Sequence, residues 1–309
     1  MKLDFQHTPP AGGYCWWYLD AFSDDGLDGL TVIAFIGSVF SPYYALARRR
    51  GHASPENHCA LNVALYGAQA SRWSMTERGR SALRRDSSVM QIGPSRLTLG
   101  AHGLVIDVNE WSVPLPRRIR GQIRVRPHTT FEGDFALDSA GRHLWAPRAP
   151  RAEVEVDLDT PRVQWRGEAY LDTNRGSEPL ESAFADWDWA RATLPDSRTA
   201  VHYHVRCRDG SARGLNLSFG DDGARALPPL ARHALTRSRW GIARPASSDL
   251  DAAPHIVKTL EDTPFYARTR LHARWGGANV DAMHESLSLA RFASPWVQAM
   301  LPFRMPRRA

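Results

Sequence analysis

Two segments, "GRHLWAPRAP" and "GEAYLDTNRGSEPLE", each carry chemically capable side chains at spacing i, i+2: His143 with Trp145, and Tyr170 with Asp172. In extended chain such a pair projects to one face. If the two segments are neighbours in one sheet, a carboxyl, an imidazole, a phenol and an indole can meet in one pocket. Carboxyl and imidazole groups suit acid–base work, and aromatic faces suit the holding of positive charge. Alternation by itself gives a plainer expectation. In "VQWRGEAYLD", Gln164, Arg166, Glu168, Tyr170 and Asp172 share the polar face, while Val163, Trp165, Gly167, Ala169 and Leu171 share the other. On a polar face, solvent or a salt bridge is the usual fate of an aspartate.

Other chemistries are poorly supported. The sequence has no GxSxG elbow, no GxxxxGK[ST] loop, no HExxH and no GxGxxG opening a helix after a strand. In "VHYHV", His202 and His204 share a strand face, but no third metal ligand is identifiable, and a polar face is the expected reading. Cys15, Cys59 and Cys207 are far apart, without CxxC spacing, and read as free thiols in a reducing compartment. Carboxylate pairs such as Asp172 with Glu181, or Asp186 with Asp188, leave a carbohydrate hydrolase as a distant alternative.

The elements that must position these residues read as strands. The chain has 309 residues, 43% of them hydrophobic, with 21 prolines and 23 glycines spread through its length. Short β-branched runs between turn residues predict an all-β protein, and the length predicts two domains. Strands are expected at "LTVIAFIG", "HCALNVALYG", "RLTLG", "GLVIDVNEW", "RGQIRVRP", "AEVEVDLD" and "VQWRGEAYLD". In "AEVEVDLD", Val154, Val156 and Leu158 alternate with acids, the pattern of a half-buried antiparallel strand. A weak internal echo links "YCWWYLDAFSDDGLDGLTVIAFIG" to "FADWDWARATLPDSRTAVHYHVRC": paired tryptophans, a strand, an Asp-rich turn and a second strand. Each copy would open a meander, which predicts domains at 1–185 and 186–309. "DAMHESLSLARFASPWVQAML" is the best helix-period stretch, and is otherwise a strand followed by a tail.

Net charge is +6, carried almost wholly by arginine, with clusters at "RRR" (Arg48 to Arg50), "PRRIRGQIRVRP" and "FRMPRRA". No zinc-finger spacing, RNP1 match or helix-turn-helix accompanies them, so a nucleic-acid partner is not expected. The N-terminal "MKLDFQHTPPAGG" lacks the apolar core of a signal peptide, which predicts a cytoplasmic start. The apolar "SVFSPYYA" ahead of the three arginines reads either as a buried loop or as one that dips into a bilayer surface.

The motifs "GGYCWWYLDAFSDDGLDGLTVIAFIGSVFSPYYALARRRG", "HCALNVALYG", "RWSMTERGR", "GRHLWAPRAP", "YLDTNRGSEPLESAFADWDWARA" and "EDTPFYARTRL" together resemble the carotenoid 1,2-hydratases, also called hydroxyneurosporene synthases, of purple photosynthetic and related bacteria. The resemblance runs from about Gly12 to the C-terminal tail. It implies two lipocalin-like β-barrel domains and the cofactor-free addition of water to the terminal double bond of acyclic carotenoids such as neurosporene and lycopene; the main alternative is a lipocalin-like carrier that binds a carotenoid or other isoprenoid without converting it. The family's His-x-Trp and Tyr-x-Asp pairs fall on His143, Trp145, Tyr170 and Asp172, all present. In that reading Asp172, kept neutral by desolvation, is the acid, and Trp145 and Tyr170 face the cation. His143 either orients Asp172 or takes a proton from the attacking water. A membrane-held substrate further implies peripheral contact with an anionic membrane, on the cytoplasmic face of the inner photosynthetic membrane.

Overall fold

Strand alternation is realised almost throughout the chain. The structure, a computed structural model, describes residues 1–68 and 71–308. The chain divides into two compact units, one of residues 1–179 with 299–309, the other of residues 180–298. The second unit is thus inserted, in chain order, ahead of the last segment of the first.

The first unit begins with β1 (Tyr14–Ser23), β2 (Gly29–Ile36), helix α1 (Pro42–Arg49), β3 (Cys59–Tyr66) and β4 (Arg72–Arg78). Short strands β5 (Leu83–Arg85), β6 (Val89–Ile92) and β7 (Ser95–Gly100) lead to β8 (Gly103–Trp111) and β9 (Arg118–Thr129). Then come β10 (Phe135–Ala136) and the two long strands β11 (His143–Thr160) and β12 (Val163–Gly176). They form one antiparallel sheet in the order β4-β3-β2-β1-β12-β11-β9-β8-β7-β6-β5, with β10 beside β11. The sheet curls, because β4 also meets the end of β8: buried Arg78 pairs with buried Glu110 at 2.7 Å, and Val113 N–H donates to the Trp73 carbonyl. One apolar core fills the curl, with Trp17 and Leu19 from β1, Ile106 from β8 and Val154, Val156 and Leu158 from β11. Each such side chain contributes about 1.5–3 kcal/mol by leaving water.

The second unit begins with a short helix α2 (Leu180–Ala183), β13 (Phe184–Thr193), β14 (Thr199–Cys207), β15 (Ala212–Gly220) and β16 (Gly223–Ala226). Strands β17 (Ala231–Leu235) and β18 (Arg244–Ser248) make a separate ribbon. Strands β19 (His255–Asp262), β20 (Tyr266–Trp275) and β21 (Ala278–Ser288) complete a sheet ordered β16-β15-β14-β13-β21-β20-β19. The internal echo has a topological counterpart. In each unit a four-strand meander begins with the paired-tryptophan strand, and that strand also pairs with the unit's last long strand.

Two expectations are corrected. "SVFSPYYA" is buried, as one of its two readings has it, but only its first half is a loop: its second half enters α1, where Ser41 Oγ caps the Tyr44 N–H at 3.0 Å and Pro42 takes the first turn. Ser38, Val39, Ser41, Tyr44 and Ala45 are buried, and the Tyr44 hydroxyl donates to the Gly13 carbonyl at 2.8 Å. The chain after β21 is not a tail. It forms α3 (Leu289–Phe292), α4 (Pro295–Arg304) and β22 (Arg307–Arg308), the last paired parallel with β4. No helix among the described residues is long and apolar enough to cross a membrane.

Candidate active site

β12 lies between β1 and β11, and its register brings three rows of side chains together. Gly176 is opposite Tyr14 on β1 and His143 on β11; Asn174 is opposite Trp16 and Trp145; Asp172 is opposite Tyr18 and Pro147. Directly opposed residues in antiparallel strands project from the same face. Ala169 and Leu171 belong to the apolar core, so Tyr170, Asp172 and Asn174 stand on the other face, as the alternation requires. That face is closed to bulk solvent here: Tyr170 is 0% exposed, and Asp172 and Asn174 are 4% exposed. The polar face of β12 is exposed at Gln164, Arg166 and Glu168 and becomes buried from Tyr170 onward, where the aromatic side chains of β1 and β11 flank it.

The register of β11 shifts at Pro147/Ala149 and Ala149/Ala152. Prolines cannot donate to a ladder, and such irregularities are how an interior strand accommodates them. They separate the stretch bearing His143 and Trp145 from the regular stretch that packs the core.

The Asp172 carboxyl is held by its neighbours. Its Oδ2 accepts from Trp145 Nε1 at 2.8 Å and from the Tyr170 hydroxyl at 3.0 Å. Its Oδ1 lies 3.4 Å from Asn174 Nδ2, a much weaker contact. Tyr18 meets Tyr170 edge-on at 6.4 Å between ring centres, and Phe135 packs on Trp145 at 5.5 Å. Burial pushes the Tyr170 phenol well above its ordinary pKa, and the adjacent Asp172 adds to the effect. Tyr170 therefore stays protonated and acts as a donor.

His143 sits two residues along β11 from Trp145 and is fully buried. Its Nδ1 is 2.8 Å from the Tyr14 hydroxyl and its Nε2 is 3.3 Å from Glu178 Oε1. Its backbone N–H donates to Asp138 Oδ1 at 3.0 Å. Burial lowers the imidazole pKa, against the opposing pull of Glu178 and Asp138, so the ring is neutral at neutral pH. With a carboxylate acceptor at Nε2, the proton belongs there, and Nδ1 accepts from Tyr14.

Of the four candidates, Trp145, Tyr170 and Asp172 are joined by direct hydrogen bonds. His143 lies in the Gly176 row, with its nitrogens turned to Tyr14 and Glu178. Tyr14, Trp16 and Tyr18 also belong to the site, and their i, i+2 spacing in "YCWWYLD" is the signal that marks them, whereas alternation does not single out Asn174 or Glu178. The other acidic candidates are engaged elsewhere: Asp186 with Arg206, and Asp188 with Arg232 at 2.6 Å. His202 meets Asn216 Oδ1 at 2.7 Å and His204 meets Ser247 Oγ at 3.3 Å. Among the described residues no group of three or more His, Cys, Asp or Glu side chains is arranged to hold a metal.

Comparison with known proteins gives this geometry a context. An acyclic carotenoid 1,2-hydratase of Thiocapsa roseopersicina is 54% identical over 99% of this chain and 75% of its own length. That of Rubrivivax gelatinosus is 48% identical over 99% of this chain and 76% of its own. Among solved structures, a putative AttH of Nitrosomonas europaea superposes with a TM-score of 0.65 over 94% of both chains, at 13% identity, which speaks to the shared β fold alone. The family model described as carotenoid hydratase CrtC matches residues 32–309, and the chain belongs to that family.

Proposed function

We propose that this chain is an acyclic carotenoid 1,2-hydratase that works without a cofactor, with Asp172 as its acid. The observation that carries the assignment of roles is the buried Asp172 carboxyl, whose Oδ2 is fixed by Trp145 and Tyr170. With the Trp145 and Tyr170 donors both on Oδ2, Oδ1 is assigned the transferable proton. That proton passes to C2 of the terminal C1=C2 bond, whose π electrons form the new C–H bond. The tertiary cation left at C1 faces Trp145 and Tyr170, each such contact contributing about 0.5–2 kcal/mol. Water oxygen then bonds to C1, and the proton it loses restores the carboxyl. Alkene and water become a tertiary alcohol, with no net change in the protein.

His143, neutral and tethered between Tyr14 and Glu178, is read as the group that holds the Tyr14 end of the site in place. The curled sheet and the repeated topology support a reading of both units, 1–179 with 299–309 and 180–298, as lipocalin-like barrels. Contact with an anionic membrane would be peripheral, on the cytoplasmic face of the inner photosynthetic membrane. Exposed Arg49 and Arg50, and exposed Phe303 beside Arg304, are suited to it.

The test is anaerobic incubation of purified protein with detergent-dispersed lycopene or neurosporene in oxygen-18 water. Labelled tertiary alcohol is expected from the wild type. Asp172→Asn should lower its rate by about 10²–10⁴-fold, the usual worth of a positioned acid, while still folding. Bound and unchanged carotenoid in both samples would mean a carrier instead.

A further inference from the structure

Asn174 lies at the centre of the site and is only half used. It stands between Trp16 and Trp145 on the flanking strands, and between Gly176 and Asp172 along its own. Its Nδ2 is turned toward Asp172 Oδ1, so its carbonyl oxygen is turned away from that carboxyl. That oxygen is buried and has no hydrogen-bond partner among the described residues. A buried acceptor left unsatisfied is costly, and folded proteins retain few of them. The flanking indoles supply no acceptor to compete with it, since an indole N–H only donates and that of Trp145 is already given to Asp172.

We propose that Asn174 Oδ1 binds the water that becomes the product hydroxyl, which makes Asn174 a catalytic residue of this site. The inference rests on the hydratase reading with Asp172 as the acid. A carbonyl accepts a hydrogen from water and leaves the water's lone pairs free to attack, as a nucleophile for C1 must have them. An ammonium or guanidinium in the same place would tie up those lone pairs. Asn174 lies two residues from Asp172 on one strand face, so the acid and the water are set along one line of the sheet, and the cation formed by the first is delivered beside the second. The proton lost by the attacking water goes back to the Asp172 carboxylate.

This assignment separates two steps that ordinary loss-of-function variants merge. Once Asp172 has protonated C2, the cation has two exits: capture of water at C1, or return of a proton from C2 to the carboxylate, which regenerates the alkene. In deuterium oxide the second exit leaves deuterium on recovered carotenoid each time the carboxylate removes the original C2 hydrogen instead of the deuteron just delivered. Asn174→Leu, close in volume and without a polar atom, should lower alcohol formation by about 100-fold, on the scale of a lost positioning contact, while deuterium exchange persists. Asn174→Ala should shift the ratio of exchange to alcohol in the same direction. The ratio is a property of the active molecules alone, so partial misfolding of either variant does not change it.

Wild-type protein and the Asp172→Asn variant are run alongside. A raised ratio in both Asn174 variants, with exchange abolished in Asp172→Asn, is the expected result. If exchange and alcohol fall together, or both vanish, Asn174 merely supports Asp172 and the proposal is overturned. If the wild type shows neither alcohol nor exchange, the hydratase reading itself fails and this inference fails with it.

Discussion

Gly176 shows how closely the residues around the site are fitted. It separates Tyr14 from His143 across three strands, and a Cβ at this position would come within 2.4 Å of the Tyr14 ring and 2.8 Å of His143 Nδ1. The 2.8 Å contact between the tyrosine hydroxyl and the imidazole therefore depends on glycine. Gly176→Ala is expected to wedge the two rings apart, at about 1–3 kcal/mol in stability, with a parallel loss of activity. Thermal melting and steady-state turnover would check this, and a variant as stable and active as the parent would contradict it. Sequence spacing conveyed that His143 and Trp145 share a face, and likewise Tyr170 and Asp172. It could not convey that Asp172 is buried, because alternation reports which face a residue is on and not what covers that face. The meeting of Trp145 with Asp172 depends on the register of β11 against β12, fixed by pairing over more than ten residues and interrupted by bulges.

At the scale of elements, the strands were legible because their alternation is strict; of the helices, α3 and most of α4 fall in the stretch with the best helical period, whereas α1 was not legible. The Ser41-Pro42 pair that starts α1 is a legible cap signal, but the aromatic and apolar residues after it obscured the helical period. In the second unit, strands β14 and β21 bury neutral histidines. His284 is held down to about 4 and His204 to about 3, both chiefly by burial, and His202 is lowered for the same reason. In the unfolded chain each would titrate near 6.5. The stability carried by these neutral rings is complete above that value and is lost as pH falls toward the folded values, since the unfolded chain then binds protons that the fold refuses. Asp188 acts in the opposite sense. Burial raises it to about 6 despite Arg232, so acidification through that value favours the fold. Three histidines outweigh one aspartate, and the unfolding temperature should fall steadily from pH 7 to pH 4.5. A flat profile across that range, followed by calorimetry, would show that the buried rings are protonated in place.

At the scale of the whole molecule, the first unit is finished by the last residues of the chain. Arg307 on β22 reaches His58 and Glu77, and Glu77 is 1% exposed. Arg307→Ala would leave that carboxylate buried with a histidine as its main partner, at about 1–3 kcal/mol. Denaturant unfolding should show a lower midpoint with an unchanged slope, and an unchanged midpoint would mean that Glu77 finds another partner. The basic C-terminal cluster was visible in the sequence as charge; that one of its arginines serves the interior was not, because the ion pair joins residues 230 positions apart.

The same connection sets an order of events on the ribosome. Residues 1–179 emerge first and carry nearly all the strands of their sheet, yet Arg307 is 128 residues further on. At about 5–20 residues per second, roughly 6–26 s pass before it can reach Glu77. For that interval the edge of β4 has no partner strand at β22 and Glu77 has no arginine. A nascent chain at this stage would be a better substrate for a chaperone than the finished protein, although nearly all of its first sheet has already been made.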